Sequence, residues 1–481
     1  MSKNFLVYFL LWILLQVLVD VNCQLTPFKP SGMFRHTATF IDNKLYILSG
    51  SETSTGNIIR EFFYLDVSIP FNTQELSWKD LSKISIVPFH TDAVSAKSGA
   101  KNDTLFLYGG LSSVSTMALV YTFDPQHIVW NSQVTTEINA TRKYGLTGVI
   151  DYSGKLYLWG GISNNIIVND MLIFDTINFS WGKGSSVNAP TQRYHFGATL
   201  LPNNKIIYMG GVDDITSSFY IETLYISKGT ALSLKEVYIY DTINDNWDTK
   251  ITTGKIPSNR SGFSTILGLD GQRIIIYGGV FNDPGGYVDT TLYVLDLTNF
   301  NWDIPKITGN TIPKPRAWHK ANVISKYMVI TFGYGYNRAV DSDILLLDIS
   351  NNEEYVWTTS FDPSVPKSSP PPSSSQTSNN SSDNSKMVGA IVGSLLSGIF
   401  LSVGGFFLYK WNKKRQSQNN INNYNNHGQE KAIPTEGSKN ENITNHEAVS
   451  AIVNNDNYYG QEVVTTPTSD GFKFFKFLNK K

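Results

Sequence analysis

The sequence predicts an all-β fold built from six copies of one small sheet, followed by one transmembrane helix and a disordered tail. Three observations predict it. Apolar residues fall mostly in short runs bounded by Gly, Asn, Asp and Ser, which is the punctuation of strands. Six of those runs end in glycine, spaced by about 50 to 68 residues. Aromatic residues make up 13% of the chain, with 25 Tyr and 10 Trp, which favours a large sheet-rich core over helices. Charge is nearly balanced, 39 Lys and Arg against 40 Asp and Glu, so no bulk attraction to nucleic acid is expected.

The first 23 residues read as a signal peptide. Lys3 supplies the positive start, residues 5–19 the apolar core, and Val21 and Cys23 the positions before a cut ahead of Gln24. Cys23 is the only cysteine, so the processed chain has none and must hold together by burial.

The six copies occupy residues 24–361. Their glycine-ended runs are LYILSG (45–50), LFLYGG (105–110), LYLWGG (156–161), IIYMGG (206–211), IIIYGG (274–279) and MVITFG (328–333). Each is followed by a strand ending in aspartate, at Asp66, Asp124, Asp175, Asp241, Asp296 and Asp348. A tryptophan then follows: Trp78, Trp130, Trp181, Trp247, Trp302 and Trp357. Another strand precedes each run, often opened by Arg, as in Arg35-His36, Arg193-Tyr194-His195 and Arg316-Ala317-Trp318-His319. A sheet of this size cannot bury both faces alone, but packing each on its neighbours does so. Glycines at the end of the second strand let the backbone turn where neighbouring sheets crowd.

These features together are the kelch motif, and residues 34–361 resemble the kelch family of β-propellers, with galactose oxidase as a distant enzymatic relative. The resemblance implies a six-bladed kelch β-propeller. Departures are Ser49-Gly50 in the first repeat, Phe332-Gly333 in the sixth, and Phe89-His90 where the second repeat lacks its opening Arg.

Residues 362–386 are rich in Ser, Pro and Asn and read as an extended stalk. Residues 387–409 form an uncharged apolar stretch long enough to cross a bilayer. Lys410, Lys413, Lys414 and Arg415 follow it and mark that end as cytoplasmic, giving a type I membrane protein with its propeller outside or luminal. Gly389, Gly393 and Ser397 recur every fourth residue, a spacing that fits a homodimer of spans, although small residues are common in spans generally. The tail, 410–481, is Asn-rich and polar and reads as disordered, open to an unknown cytoplasmic adaptor. Sequons for glycosylation stand at Asn102, Asn139, Asn178, Asn259, Asn379 and Asn380.

Function has to be argued from sites. The galactose oxidase resemblance implies copper and a tyrosine cross-linked to cysteine. A processed chain without cysteine cannot build that group, so no cofactor and no metal are expected. His36, His90, His195 and His319 read as repeat-pattern residues on the same strand of four different repeats, and no catalytic residue is assigned. The expected role is a receptor-like or adhesion-like module that binds an extracellular protein or glycan through loops joining rigid sheets. The alternative is a membrane-tethered carbohydrate-active enzyme, related to galactose oxidase or to a kelch-type mutarotase. By family resemblance, the loops after the glycine runs share one face with those entering each repeat. Candidate contacts there are Phe219 and Tyr220 in the insertion of the fourth repeat, Phe281 and Tyr287 in the fifth, and Tyr334, Tyr336 and Arg338 in the sixth. Arg193 and Arg316 are expected to add positive charge to that surface.

Overall fold

Every glycine-ended run is the second strand of an antiparallel sheet, and the strands flanking it follow the sequence order. The computed structural model describes residues 9, 12, 27–133, 140–220, 223–282, 292–336 and 343–364. In the first repeat, Thr37–Ile41, Lys44–Leu48, Phe62–Asp66 and Lys79–Asp80 lie side by side in that order. The other five repeats build sheets in the same way; helix is represented by a 3-10 turn at Ser82–Ile84. Among the described residues no helix is long and apolar enough to cross a membrane. The expected span at 387–409, the tail and stalk residues 365–386 lie outside the described residues, as does the signal segment except Phe9 and Trp12.

The innermost strands pack in a closed series. Thr37–Ile41 adjoins Val94–Ser98, and the contacts run on through Val149–Ile150, Gly197–Leu200, Ser264–Leu267 and Lys320–Ile324 back to Thr37–Ile41. The chain therefore forms an all-β, propeller-like ring. Six aromatic positions seal neighbouring sheets together. Each motif tryptophan is at most 7% exposed, and most meet an aromatic ring of the preceding repeat: Trp130 on Phe62, Trp181 on Tyr108, Trp247 on Trp159, Trp357 on Tyr277. Trp78 meets Phe332, which closes sixth repeat on first. Rings at centroid distances near 5 Å add directional attraction to the area they bury.

The six aspartates turn the chain. In every repeat the carboxylate Oδ1 accepts the backbone N–H two residues on, as from Ser68 to Asp66 and from Ile243 to Asp241, fixing an Asx turn into the fourth strand.

Closure uses backbone pairing at the outer rim as well. Thr253–Gly254 of the fourth repeat joins the fifth sheet in parallel, and Lys306–Gly309 of the fifth joins the sixth. Ser360–Phe361 then pairs with Phe71–Asn72 of the first repeat, with Phe361 stacked on Phe71 at 4.6 Å. The seam between the last and first repeats is thus made by the carboxyl-terminal strand; residues 27–30 form no strand.

Candidate functional site

The glycine pairs explain the first level of the site. The last glycine of each run donates its N–H to a carbonyl of the following repeat, at 2.8–3.0 Å: Gly50 to His90, Gly110 to Lys143, Gly161 to Arg193, Gly211 to Arg260, Gly279 to Arg316, and Gly333 back to Met33. A Cβ on the first glycine of the fifth pair, Gly278, would stand 2.2 Å from the Arg316 carbonyl, and the backbone there has φ +71°. Only glycine fits that approach.

A second circuit lies on the axis. Two residues after each of those carbonyls comes a residue with positive φ: Arg35, Asp92, Gly145, His195, Gly262 and Trp318. Each donates its N–H to the carbonyl of the one before, from 2.7 to 3.1 Å, and the series returns to its start. Four of the six are not glycine, held at φ 51–56°, a conformation that costs such residues on the order of 1 kcal/mol or more each. The two glycines make room. A Cβ at Gly262 would stand 2.8 Å from the Trp318 indole nitrogen.

The four side chains on this circuit form one network. Trp318 Nε1–H donates to His195 Nδ1 at 3.2 Å. That leaves Nε2 of His195 as the protonated nitrogen, and it donates to Asp92 Oδ1 at 3.1 Å. Asp92 Oδ2 faces the Arg35 guanidinium at 3.5 Å, and Arg35 lies over the Trp318 ring at 5.0 Å. Burial alone would raise the Asp92 pKa, but Arg35, His195 and Lys320 outweigh it and hold the carboxyl at about 2. Burial lowers His195 despite Asp92 beside it, so the ring stays neutral. Below the network is a cavity of about 40 Å³, lined by these residues with Thr147, His319 and Lys320 among others.

The fourth-repeat insertion roofs this end of the axis. Ser218–Tyr220 and Tyr225–Lys228 make a hairpin whose second strand pairs with Val280–Phe281 of the fifth repeat. Phe219 stacks on Trp318 at 4.4 Å, joining an apolar cluster with Phe34, Phe281, Ala317 and Tyr334.

The candidate residues are therefore divided. Phe281 and Tyr334 are buried, Phe219 and Tyr336 half-buried, and Tyr220 is 52% exposed. Tyr287 and Arg338 lie outside the described residues. The expectation that Arg193 and Arg316 charge the surface is corrected. They are 2% and 1% exposed, and each donates from Nη1 to a backbone carbonyl at the end of its own second strand, Gly210 and Phe332. Arg260 does the same to Gly278. A guanidinium spans that distance with fixed donors, so these arginines tie the repeat opening to its glycine turn. The histidines stand near the openings of their repeats, at three different places. His36 and His319 follow the axial residue, His195 is axial, and His90 stands two residues before it. His36 and His319 bond Thr331 and Ser264 through Nε2, both at 2.8 Å. Among the described residues no group of three or more His, Cys, Asp or Glu is placed to hold a metal ion.

Of the sequons, Asn102 and Asn178 are exposed in turns. Both turns are at the strand ends remote from the glycine pairs, Asn102 before Thr104–Tyr108 and Asn178 after Met171–Asp175. Asn259 is half-buried and its Ser261 is 1% exposed. Asn139, Asn379 and Asn380 lie outside the described residues.

Comparison with known proteins matches this arrangement. The model of the KLHDC2/KLHL20/DRC7 Kelch-repeats domain matches residues 35–279 and again 221–394. Acyl-CoA-binding domain-containing protein 5 of Arabidopsis thaliana is 25% identical over 44% of this chain and 32% of its own length. Kelch domain-containing protein 2 of Bos taurus is 23% identical over 52% of this chain and 65% of its own. The chain thus spans less than two thirds of these relatives. Among solved structures, that of YjhT superposes with a TM-score of 0.51 at 14% identity, covering 69% of this chain and 99% of that one, a likeness of fold.

Proposed function

Because the chain belongs to the KLHDC2/KLHL20/DRC7 kelch-repeat family, we propose that its six sheets are six blades of a propeller that binds a partner protein on the glycine-pair face. One observation carries the reading: the fourth-repeat hairpin builds an apolar platform over the axis on that face and leaves Tyr220 exposed at its edge. Exposed aromatics on a rigid support give large contact area at low entropic cost. The exposed sequons Asn102 and Asn178 lie at the remote end, so carbohydrate there leaves the platform clear.

The module is displayed outside the cell or in a lumen, tethered by the span at 387–409, with Gly389, Gly393 and Ser397 as a dimer seam and the tail free for an adaptor. Catalysis on sugars is the second reading; the partly open axial cavity of about 40 Å³ takes a few waters. A glycan remains a second ligand class for the same face, with Tyr287 and Arg338 as further contacts. Cross-linking of the full chain on the cells that express it, followed by mass spectrometry, tests the assignment. Cross-links to a partner should originate around the hairpin. A set originating only from the Asn102 and Asn178 end would overturn it.

A further inference from the structure

Two residues beyond each axial position, the six repeats carry Thr37, Val94, Thr147, Gly197, Ser264 and Lys320. Five are small or short; one is a lysine. Thr147 and Lys320 of this set line the cavity of about 40 Å³, several times the 10–15 Å³ that one water requires. Among the described residues no hydrogen bond or ion pair within contact distance reaches the Lys320 ammonium.

Charge in the cavity does not balance. Arg35 and Lys320 are cations, Asp92 is the single carboxylate, and burial keeps His195 neutral. Arg35 takes up the Asp92 charge through its own contact, and His195 donates to the other oxygen. His36 and His319, which also face Lys320, bond hydroxyl groups and are neutral through burial. One positive charge is left facing a partly open cavity, where burial lowers the Lys320 pKa and an anion beside the ammonium would keep it charged.

We propose that this axial cavity is a binding site for a small monovalent anion, a halide ion, held by the Lys320 ammonium beneath the Arg35–Asp92–His195–Trp318 network. The walls suit such an ion. Besides Lys320 they present apolar faces at Leu146, Phe196 and Phe263, while the Thr147 hydroxyl donates to the Phe196 carbonyl at 2.8 Å. A divalent oxyanion would meet the Asp92 carboxylate and overfill the space. The ion fills the axis and locks the innermost strands, independently of what binds the outer platform.

The test uses the full chain in chloride-free sodium gluconate, with chloride or bromide added at constant ionic strength. The thermal unfolding midpoint of the natural protein should rise saturably, by about 2 °C or more at saturation. Lys320→Met should lose the response and, in halide-free buffer, unfold at a higher temperature than the natural protein, because the uncompensated charge is gone. Lys320→Arg should keep the response. Chloride NMR line width, broadened by the natural protein and narrowed again by bromide, gives a reading that needs no variant to fold. A flat midpoint with no line broadening, or a Lys320→Met protein that responds like the natural one, overturns the proposal.

Discussion

Two sets of cations stand at the openings of the repeats and have opposite fates. Arg193, Arg260 and Arg316 are at most 2% exposed and each donates from Nη1 to a backbone carbonyl of its own repeat. Arg35 and Lys320 face side chains and space on the axis. The first set is built into the turn geometry of the repeat. The second is built on it. A charge buried against fixed backbone dipoles is part of the scaffold, whereas a charge facing an open volume is available to something else.

Acid provides the widest contrast between the interior and the rim. An unfolded histidine takes up a proton near pH 6.5. In the folded protein burial holds His319 at about 3, with Arg316 and Lys320 adding to the effect, and His90 at about 4, with Arg142 opposing its bond to Pro88. His36 is lowered further by burial, Lys320 and His319. The unfolded chain therefore binds protons that the folded chain refuses, so stability falls as pH drops below 6.5 and is unaffected by these groups above it. Each of the three should cost roughly 2 kcal/mol between pH 7 and pH 5. Asp92, held low, contributes stability that persists to about pH 4 and is lost below it. Denaturant midpoints across that range check the two windows, and a flat profile from pH 7 to 5 would refute the buried neutral histidines.

The scaffold set should be fragile where the axial set is not. Arg316→Ala removes a buried charge-assisted bond to the Phe332 carbonyl and leaves a void, with an expected loss of about 3–5 kcal/mol. Gly278→Ala attacks the same junction from the opposite side, forcing a Cβ onto the Arg316 carbonyl at positive φ, with a loss of about 2–4 kcal/mol. Denaturant unfolding reads both. If Arg316→Ala stayed within 1 kcal/mol of the parent, the arginine would be a surface charge after all.

Much of the scaffold was legible in the chain because its parts recur. Six Gly-ended runs and six aspartates each have one physical job, and the structure gives each the same kind of partner in every repeat. Arg193 and Arg316 misled for a related reason. An arginine entering a loop looks like a binding charge unless its distance to the next glycine turn is known, and that distance is tertiary. The axial network was hidden because its members share a position and not a residue type: Arg, Asp, Gly, His, Gly and Trp. Aligning the repeats on their glycines leaves these six 15 to 18 residues upstream and out of register, so the sequence alone does not bring them together.

The roof of the axis is less deeply set than the scaffold, so its disruption should cost less. Phe219→Ala deletes the ring stacked on Trp318, from a half-buried position, for an expected loss of about 1–2 kcal/mol. The loss should be local. Amide hydrogen exchange should quicken along Ser218–Tyr220 and Tyr225–Lys228 while the second strands of the six sheets keep their protection. Uniform quickening would mean that the hairpin is part of the global fold and not a platform laid upon it.

Tyr220 completes the contrast from the outside. It is 52% exposed and meets Tyr225 at 6.4 Å, a contact too loose to contribute much. Tyr220→Ala should therefore leave stability within about 0.5 kcal/mol of the parent. If the glycine-pair face is the docking surface, the same substitution should still cut cross-linking to the partner several-fold, because an exposed aromatic at the edge of a rigid platform has its energy in the complex and not in the free protein. A substitution that is silent in both measurements would move the docking surface away from the hairpin; one that destabilises the free protein would make Tyr220 another member of the scaffold.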